Sequence, residues 1–233
     1  DSKWQPYQGG VLTARLSDGM TADQLFVNGQ RQHMARYPDY DPKAQYFNGF
    51  ASDCFGPERA ARWSDPTGGF IHVMHRAHWG DMHYVITGKD EDGNVTYEGG
   101  WQNNRPSPMH RDHRFVENIF EELDAPGEWY LNVKTNELFF WPPDNVDLTS
   151  ATVELVRLPH LIEFQGSEDR PVRHIELRGL TFTHTARTFM ENKEPLLRSD
   201  WTTYRGGAIV FSGAEDCTRA DTDFMSVGGN TIF

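Results

Sequence analysis

One hexapeptide constrains this chain more than any other feature. Gly206-Gly207-Ala208-Ile209-Val210-Phe211 returns as Gly228-Gly229-Asn230-Thr231-Ile232-Phe233, at an offset of 22 residues. Between the copies, residues 217–224 (CTRADTDF) echo residues 173–182 (RHIELRGLTF). Residues 161–166 (LIEFQG) pair in the same way with 209–214 (IVFSGA). Two kinds of short apolar strand therefore alternate along the last third of the chain. A period of roughly 20–25 residues is the signature of a solenoid, in which each turn buries its apolar face only by stacking on the next. Parallel pairing between turns is expected, with Val, Ile, Leu and Phe inward and small residues or Asn at the corners, where the backbone turns tightly. Leu161 to Ala208 spans 47 residues, one coil plus an insertion, and residues 186–205 supply the inserted loop. An antiparallel sandwich is the other architecture that this strand density allows.

The first two thirds are also strand-rich. Residues 25–30, 70–75, 83–88, 94–100, 128–133, 137–142 and 152–158 are dense in β-branched and aromatic residues and bounded by Gly, Pro, Asn or Asp. Asn28-Gly29, Asp92-Gly93-Asn94 and Lys134-Thr135-Asn136 stand where hairpins should close. The one helix expected is 116–123 (VENIFEEL), ended by Asp124-Ala125-Pro126-Gly127. The division that follows has residues 1–19 as leading strand of the solenoid, 20–150 as an inserted antiparallel β-rich domain, and 151–233 as coils carrying the loop at 186–205. Phe233 falls inside a strand-like run, and DSKWQPYQGG at the start reads like the middle of something. The expectation is a fragment whose C-terminal edge is covered by further coils of the same solenoid or by another copy, since an open solenoid end exposes apolar surface.

Charge narrows the partners. A net charge of -12 repels phosphate backbones, so nucleic acid is excluded. No run of 18 apolar residues is present, so no helical membrane span is expected. No signal-peptide pattern opens the chain. Cys54 and Cys217 fall in different segments and are expected as buried thiols and not a bridge.

Several stretches resemble a bacterial family of right-handed parallel β-helix proteins. They are residues 23–41 (DQLFVNGQRQHMARYPDYD), 68–80 (GGFIHVMHRAHWG), 97–105 (YEGGWQNNR), 115–132 (FVENIFEELDAPGEWYLN) and 187–211 (RTFMENKEPLLRSDWTTYRGGAIVF). Among enzymes the resemblance is to glycoside hydrolase family 141. It implies an all-β fold, a right-handed parallel β-helix of which only the first coils are present, with an inserted antiparallel domain. It also implies a protein that is secreted, periplasmic or on the bacterial cell surface, takes a polysaccharide or oligosaccharide in a groove along the helix, and hydrolyses it by acid–base chemistry. The family's catalytic carboxylates are expected on later coils, and none is carried over to a residue here. A polysaccharide lyase and a non-catalytic binding or structural module on the same architecture are the alternatives.

Three constellations offer chemistry that suits a glycan. The inserted loop holds Glu191, Glu194 and Asp200, any of which can supply one of the two carboxyl groups that glycoside hydrolysis needs. In the same loop Arg198, Trp201 and Tyr204 offer a charge and rings that stack on sugar. The plainer account is that Glu and Arg pair to pin the loop. The second constellation is His72, His75, His78, Trp79, Asp81 and His83. With no Cys beside it and no HExxH, it is read as no metal site, because on a strand His72 and His78 share one face and His75 takes the other. His75, His78 and Trp79 are expected to touch substrate. The third is Trp101, Asn104 and Arg105, groups that grip sugar rings and hydroxyls and equally fix loops. No cofactor is expected. Residues 90–94 (DEDGN) carry oxygen ligands but lack the remaining positions of a calcium loop, and read as a hairpin turn.

Overall fold

The computed structural model describes residues 3–105, 107–191, 193–196 and 200–233. The protein is all-β, and helix among these residues is limited to Pro57–Ala60 and a 3-10 turn at Phe120–Glu122. No described helix is long and apolar enough to cross a membrane. The chain divides into two compact units. One comprises Asp1–Thr21, Leu25–Glu154 and Pro195–Thr202; the other comprises Ala22–Gln24, Leu155–Glu194 and Thr203–Phe233.

The first unit carries two sheets. In the seven-stranded sheet, Leu12–Arg15 pairs antiparallel with Glu137–Phe140, so the opening segment lies in this sheet. Glu137–Phe140 pairs in turn with Glu128–Asn132 through the hairpin at Lys134-Thr135-Asn136, where Asn136 takes a left-handed φ of 56°. Glu128–Asn132 then runs parallel to Gln30–Met34, with Glu128 opposite His33. Asn28-Gly29 closes the hairpin between Gln24–Val27 and Gln30–Met34, both residues left-handed.

The five-stranded sheet is antiparallel throughout, in the order Arg36–Tyr37, Met109–Glu117, Phe70–His75, Asp81–Lys89, Val95–Gly99. The turn at residues 90–94 is tied by Asp90, whose carboxylate accepts the backbone N–H of Asp92 and Asn94 at 3.0 and 2.8 Å. Trp63, Ile71, Ile86, Val116, Ile119 and Cys54 close a core over one face of this sheet.

The helix expected at 116–123 does not form. Val116 pairs across both flanks, with Tyr37 and with Ile71, and Asn118 turns left-handed at φ 61°. A central strand position with two hydrogen-bonded neighbours and full burial outweighs a local helix preference worth tenths of a kcal/mol per residue. The buried Glu122 ends this segment. Its carboxylate accepts the Trp63 indole N–H at 2.6 Å and pairs with Arg59 at 2.9 Å.

The second unit holds four two-stranded pairs, all parallel. Ile162–Gln165 lies beside Ile209–Ser212, Val172–Arg173 beside Ala214–Glu215, Glu176–Arg178 beside Thr218–Ala220, and Thr181–Thr183 beside Asp223–Met225. Equivalent side chains stack along the register. Phe164 lies on Phe211 at 4.5 Å between ring centroids and Phe182 on Phe224 at 5.2 Å, each pair within 21° of parallel. Phe164, Phe182 and Ile209 are the buried centre of this core. A further bridge places Ile209 beside Ile232 and not beside Thr231. The 22-residue offset of the sequence is therefore one residue short of the structural spacing. The inward-facing position, and not the repeated Gly-Gly, sets the register.

Candidate functional site

The turn after Phe70–His75 is built to hold a ring outward. His75 N–H donates to Gly80 O at 2.8 Å and His78 N–H to His75 O at 2.8 Å, while the His75 imidazole Nδ1 accepts Ala77 N–H at 3.0 Å. These bonds close a tight loop from which Trp79 projects with 68% of its surface exposed. Its indole lies on the His75 ring, 5.2 Å away and 9° from parallel. A side chain at position 80 would come within 2.8 Å of the Trp201 ring, so glycine there lets Trp201 lie against the turn. His75 meets Trp201 edge-on at 6.1 Å. His78 does not share a strand face with His72, because the strand ends at His75 and His78 sits in the turn with φ 58°.

Residues 100–105 complete the surface. The Gln102 side-chain carbonyl accepts His83 N–H at 3.0 Å and anchors this loop to its sheet. Asn103 bridges Trp201 antiparallel, Asn104 N–H donates to Asp200 O at 2.5 Å, and the Asn104 amide donates to Trp201 O at 3.1 Å. Thr202 returns two bonds, from its N–H to Gln102 O and from its hydroxyl to Trp101 O, both at 3.1 Å. Arg105 pairs with Asp200 at 2.8 Å. Residues 75, 79, 101, 104, 105, 200 and 201, far apart in the chain, thus form one cluster in the first unit. Asn104 and Arg105 use their polar groups on the segment that holds Trp201. Trp79 and Trp101 keep exposed ring surface.

The other loop residues lie in the second unit. Glu194 pairs with Arg205. Lys193 donates to Thr188 O at 2.6 Å and stands 5.0 Å from the centre of the Tyr204 ring. His160 Nδ1 is 2.7 Å from the Gly207 carbonyl, which only accepts, so the ring proton sits on Nδ1. Nε2 is then the acceptor for the Tyr204 hydroxyl at 3.3 Å. Burial raises the Tyr204 phenol above its ordinary range, and the Glu191 and Glu163 charges add to the effect. Arg198 lies outside the described residues.

Three buried carboxylates, Glu117, Glu122 and Glu128, escaped the sequence reading, although all belong to the quoted stretch at residues 115–132. Glu122 is the partner of Arg59 and Trp63 described above. Glu128 is 2% exposed. Burial pushes its carboxyl up to about 8, and the Asp39 and Asp124 charges push the same way, against backbone N–H groups of Asp124 and Ala125 that donate to Oε2 at 3.2 Å each. The available signal was an acidic residue between Gly127 and an apolar strand. His72 is likewise buried, and His83 beside it is half-buried. Their Nδ1 atoms lie 2.7 Å apart, and His72 Nε2 meets Glu117 at 3.1 Å.

No protein-family model matches the chain, and no curated protein matches it. A solved structure named glycoside hydrolase is similar in fold, with a TM-score of 0.71 and 19% sequence identity. The likeness covers 99% of this chain and 47% of that one, so the chain spans about half of its neighbour's length.

Proposed function

We propose that this chain is the glycan-handling N-terminal portion of a secreted bacterial glycoside hydrolase of the parallel β-helix type, close in kind to family 141. The observation that carries the reading is the likeness of fold over 99% of the chain to a protein named glycoside hydrolase. The parallel pairs of the second unit support the solenoid, and the exposed rings of Trp79, stacked on His75, and of Trp101 support the ligand class. Exposed indoles present a flat apolar face to the C–H face of a sugar ring, and hydroxyl-binding groups fix its orientation. Hydrolysis by an acid–base carboxylate pair is proposed for the whole protein. Glu194 and Asp200 are held in ion pairs with arginines, which favours a binding and positioning role for the described residues. In a lyase Tyr204 would serve as base. Its raised phenol pKa weighs against that alternative.

The test is a panel of plant and animal polysaccharides presented to the chain and to W79A and W101A variants, with affinity measured by calorimetry. A bound glycan whose affinity falls roughly 10-fold or more in each variant, about 1.4 kcal/mol, supports the reading. Equal affinity in wild type and both variants removes the platform, and no binding to any glycan removes the function.

A further inference from the structure

The sequence distributes ten histidines along the chain, and the fold gathers three of them outside the sugar platform. His110 and His113 lie on the strand Met109–Glu117, where a separation of three would send them to opposite faces. The pairing with Phe70–His75 breaks there: Val73 faces Arg114, but His75 faces Met109. Two residues on one strand thus span five on the other, and the excess bulges out. In the bulge the backbone N–H groups of Asp112 and His113 donate to His110 Nδ1 at 3.1 and 3.0 Å. This curls the segment until the His110 and His113 rings are stacked, 4.2 Å apart and 2° from parallel. His78 enters from the neighbouring turn in a left-handed conformation that Asn or Gly would adopt at lower cost. Its Nε2 lies 2.9 Å from His113 Nδ1. Tyr46 backs the His113 ring at 4.2 Å. That tyrosine is held by a clamp legible in the ARYP motif: the Arg36 guanidinium donates to Phe47 O and Gly49 O at 3.0 Å each.

We propose that His78, His110 and His113 form a binding site for a late first-row divalent cation of the zinc class. One nitrogen from each ring lies within 4.8 Å of the others, the one such group of three among the described residues. Zinc takes imidazole nitrogen at about 2.0–2.1 Å, so two ligands of one tetrahedral ion sit about 3.3 Å apart. The His78–His113 pair is within a few tenths of an ångström of that spacing. His110, now stacked parallel on His113, must swing off that stack to bring a nitrogen lone pair, which lies in the ring plane, onto the same ion. An all-nitrogen donor set selects zinc, nickel or copper over calcium and magnesium, which take oxygen. His78 is exposed, so the fourth position opens to water or to a ligand hydroxyl. Ligation through His110 Nε2 requires the proton on Nδ1, where two backbone N–H groups now donate. Metal entry breaks those bonds, and the affinity is expected near micromolar, well short of a structural zinc site. The ion would tie the turn that carries Trp79 to the bulged strand.

The experiment uses the chain without a histidine tag, stripped with EDTA, dialysed, and titrated with zinc chloride in a calorimeter. Cobalt(II) serves as the spectroscopic probe of coordination. One zinc per chain with a Kd near 1 µM, and a weakening of at least about 100-fold in H78N and in H113F, is the expected result. H113F keeps the stacked ring and removes the nitrogen. H78N suits the left-handed backbone, so it serves as the variant that keeps the fold. Each variant's metal-free circular dichroism and melting should match wild type. Saturable binding absent below about 1 mM, or binding undiminished in both variants, overturns the site. Glycan affinity measured in EDTA tests Trp79 without the ion, so either idea can fail alone.

Discussion

Replacing Glu128 by Gln should stabilise this protein above neutral pH, and the size of the gain follows from where the carboxyl sits. Its pKa is about 8 in the fold against an ordinary 4.5, with burial as the main cause. The folded state therefore holds a proton that the unfolded state releases. A raised carboxyl contributes no penalty below pH 4.5; stability then falls as pH rises toward 8 and levels off above it. His33, directly opposite Glu128 in the parallel pair, works the other way. Burial first, and then the Arg36 charge, lowers its imidazole from 6.5 to about 4. Its contribution is full above pH 6.5 and is lost as pH falls through 4. Between pH 4.5 and 6.5 the two slopes oppose each other. From 6.5 to 8 only Glu128 remains, at about 1.4 kcal/mol per pH unit, so the wild-type protein should lose about 2 kcal/mol across that window. E128Q keeps an oxygen to accept the Asp124 and Ala125 N–H groups and cannot ionise. Urea unfolding from pH 5 to 9 should show its stability flat from 6.5 to 8, equal to wild type near pH 5 and above it at pH 8. A variant that keeps the wild-type slope, or is the less stable protein at pH 8, refutes the argument.

Three further outcomes are expected. Phe164→Ala removes a buried ring stacked on Phe211 and should cost roughly 3–5 kcal/mol, read by denaturant unfolding. A native-state alkylation assay should label Cys217 and spare Cys54, which is fully buried with its thiol pushed up to about 12 by desolvation; both should react after denaturation. Asn104→Ala deletes the bond that holds Trp201 O. It should speed hydrogen exchange at the Thr202 amide several-fold and lower stability by about 1 kcal/mol.

Strands and hairpins were legible because their signals are local. Alternation at residues 128–133 and 137–142, and the turn residues at 28–29, 92–94 and 134–136, report backbone preferences that need no distant partner. The segment at 116–123 misled because its apolar spacing fits a helix, whereas two flanking strands claim Val116. His75, Trp79, Trp101 and Trp201 were named from the sequence in three separate constellations. Their assembly was not legible there, since residues 101–105 and 200–202 meet only in the tertiary structure, through the Asn103–Trp201 bridge and the bonds of Asn104, Arg105 and Thr202.

By itself the sequence determined an all-β chain whose last third repeats, because short apolar strand runs and their 22-residue recurrence are local signals. It left parallel stacking and an antiparallel sandwich both open, and the parallel pairing came from the fold. Tertiary structure alone decided the one-residue slip of Ile209 onto Ile232, the burial that raises the Glu128 carboxyl, and the meeting of His78 with His110 and His113. The reason is the same in each case. Register, desolvation and ligand geometry depend on the distance between atoms that the chain separates by tens of residues, and packing sets that distance.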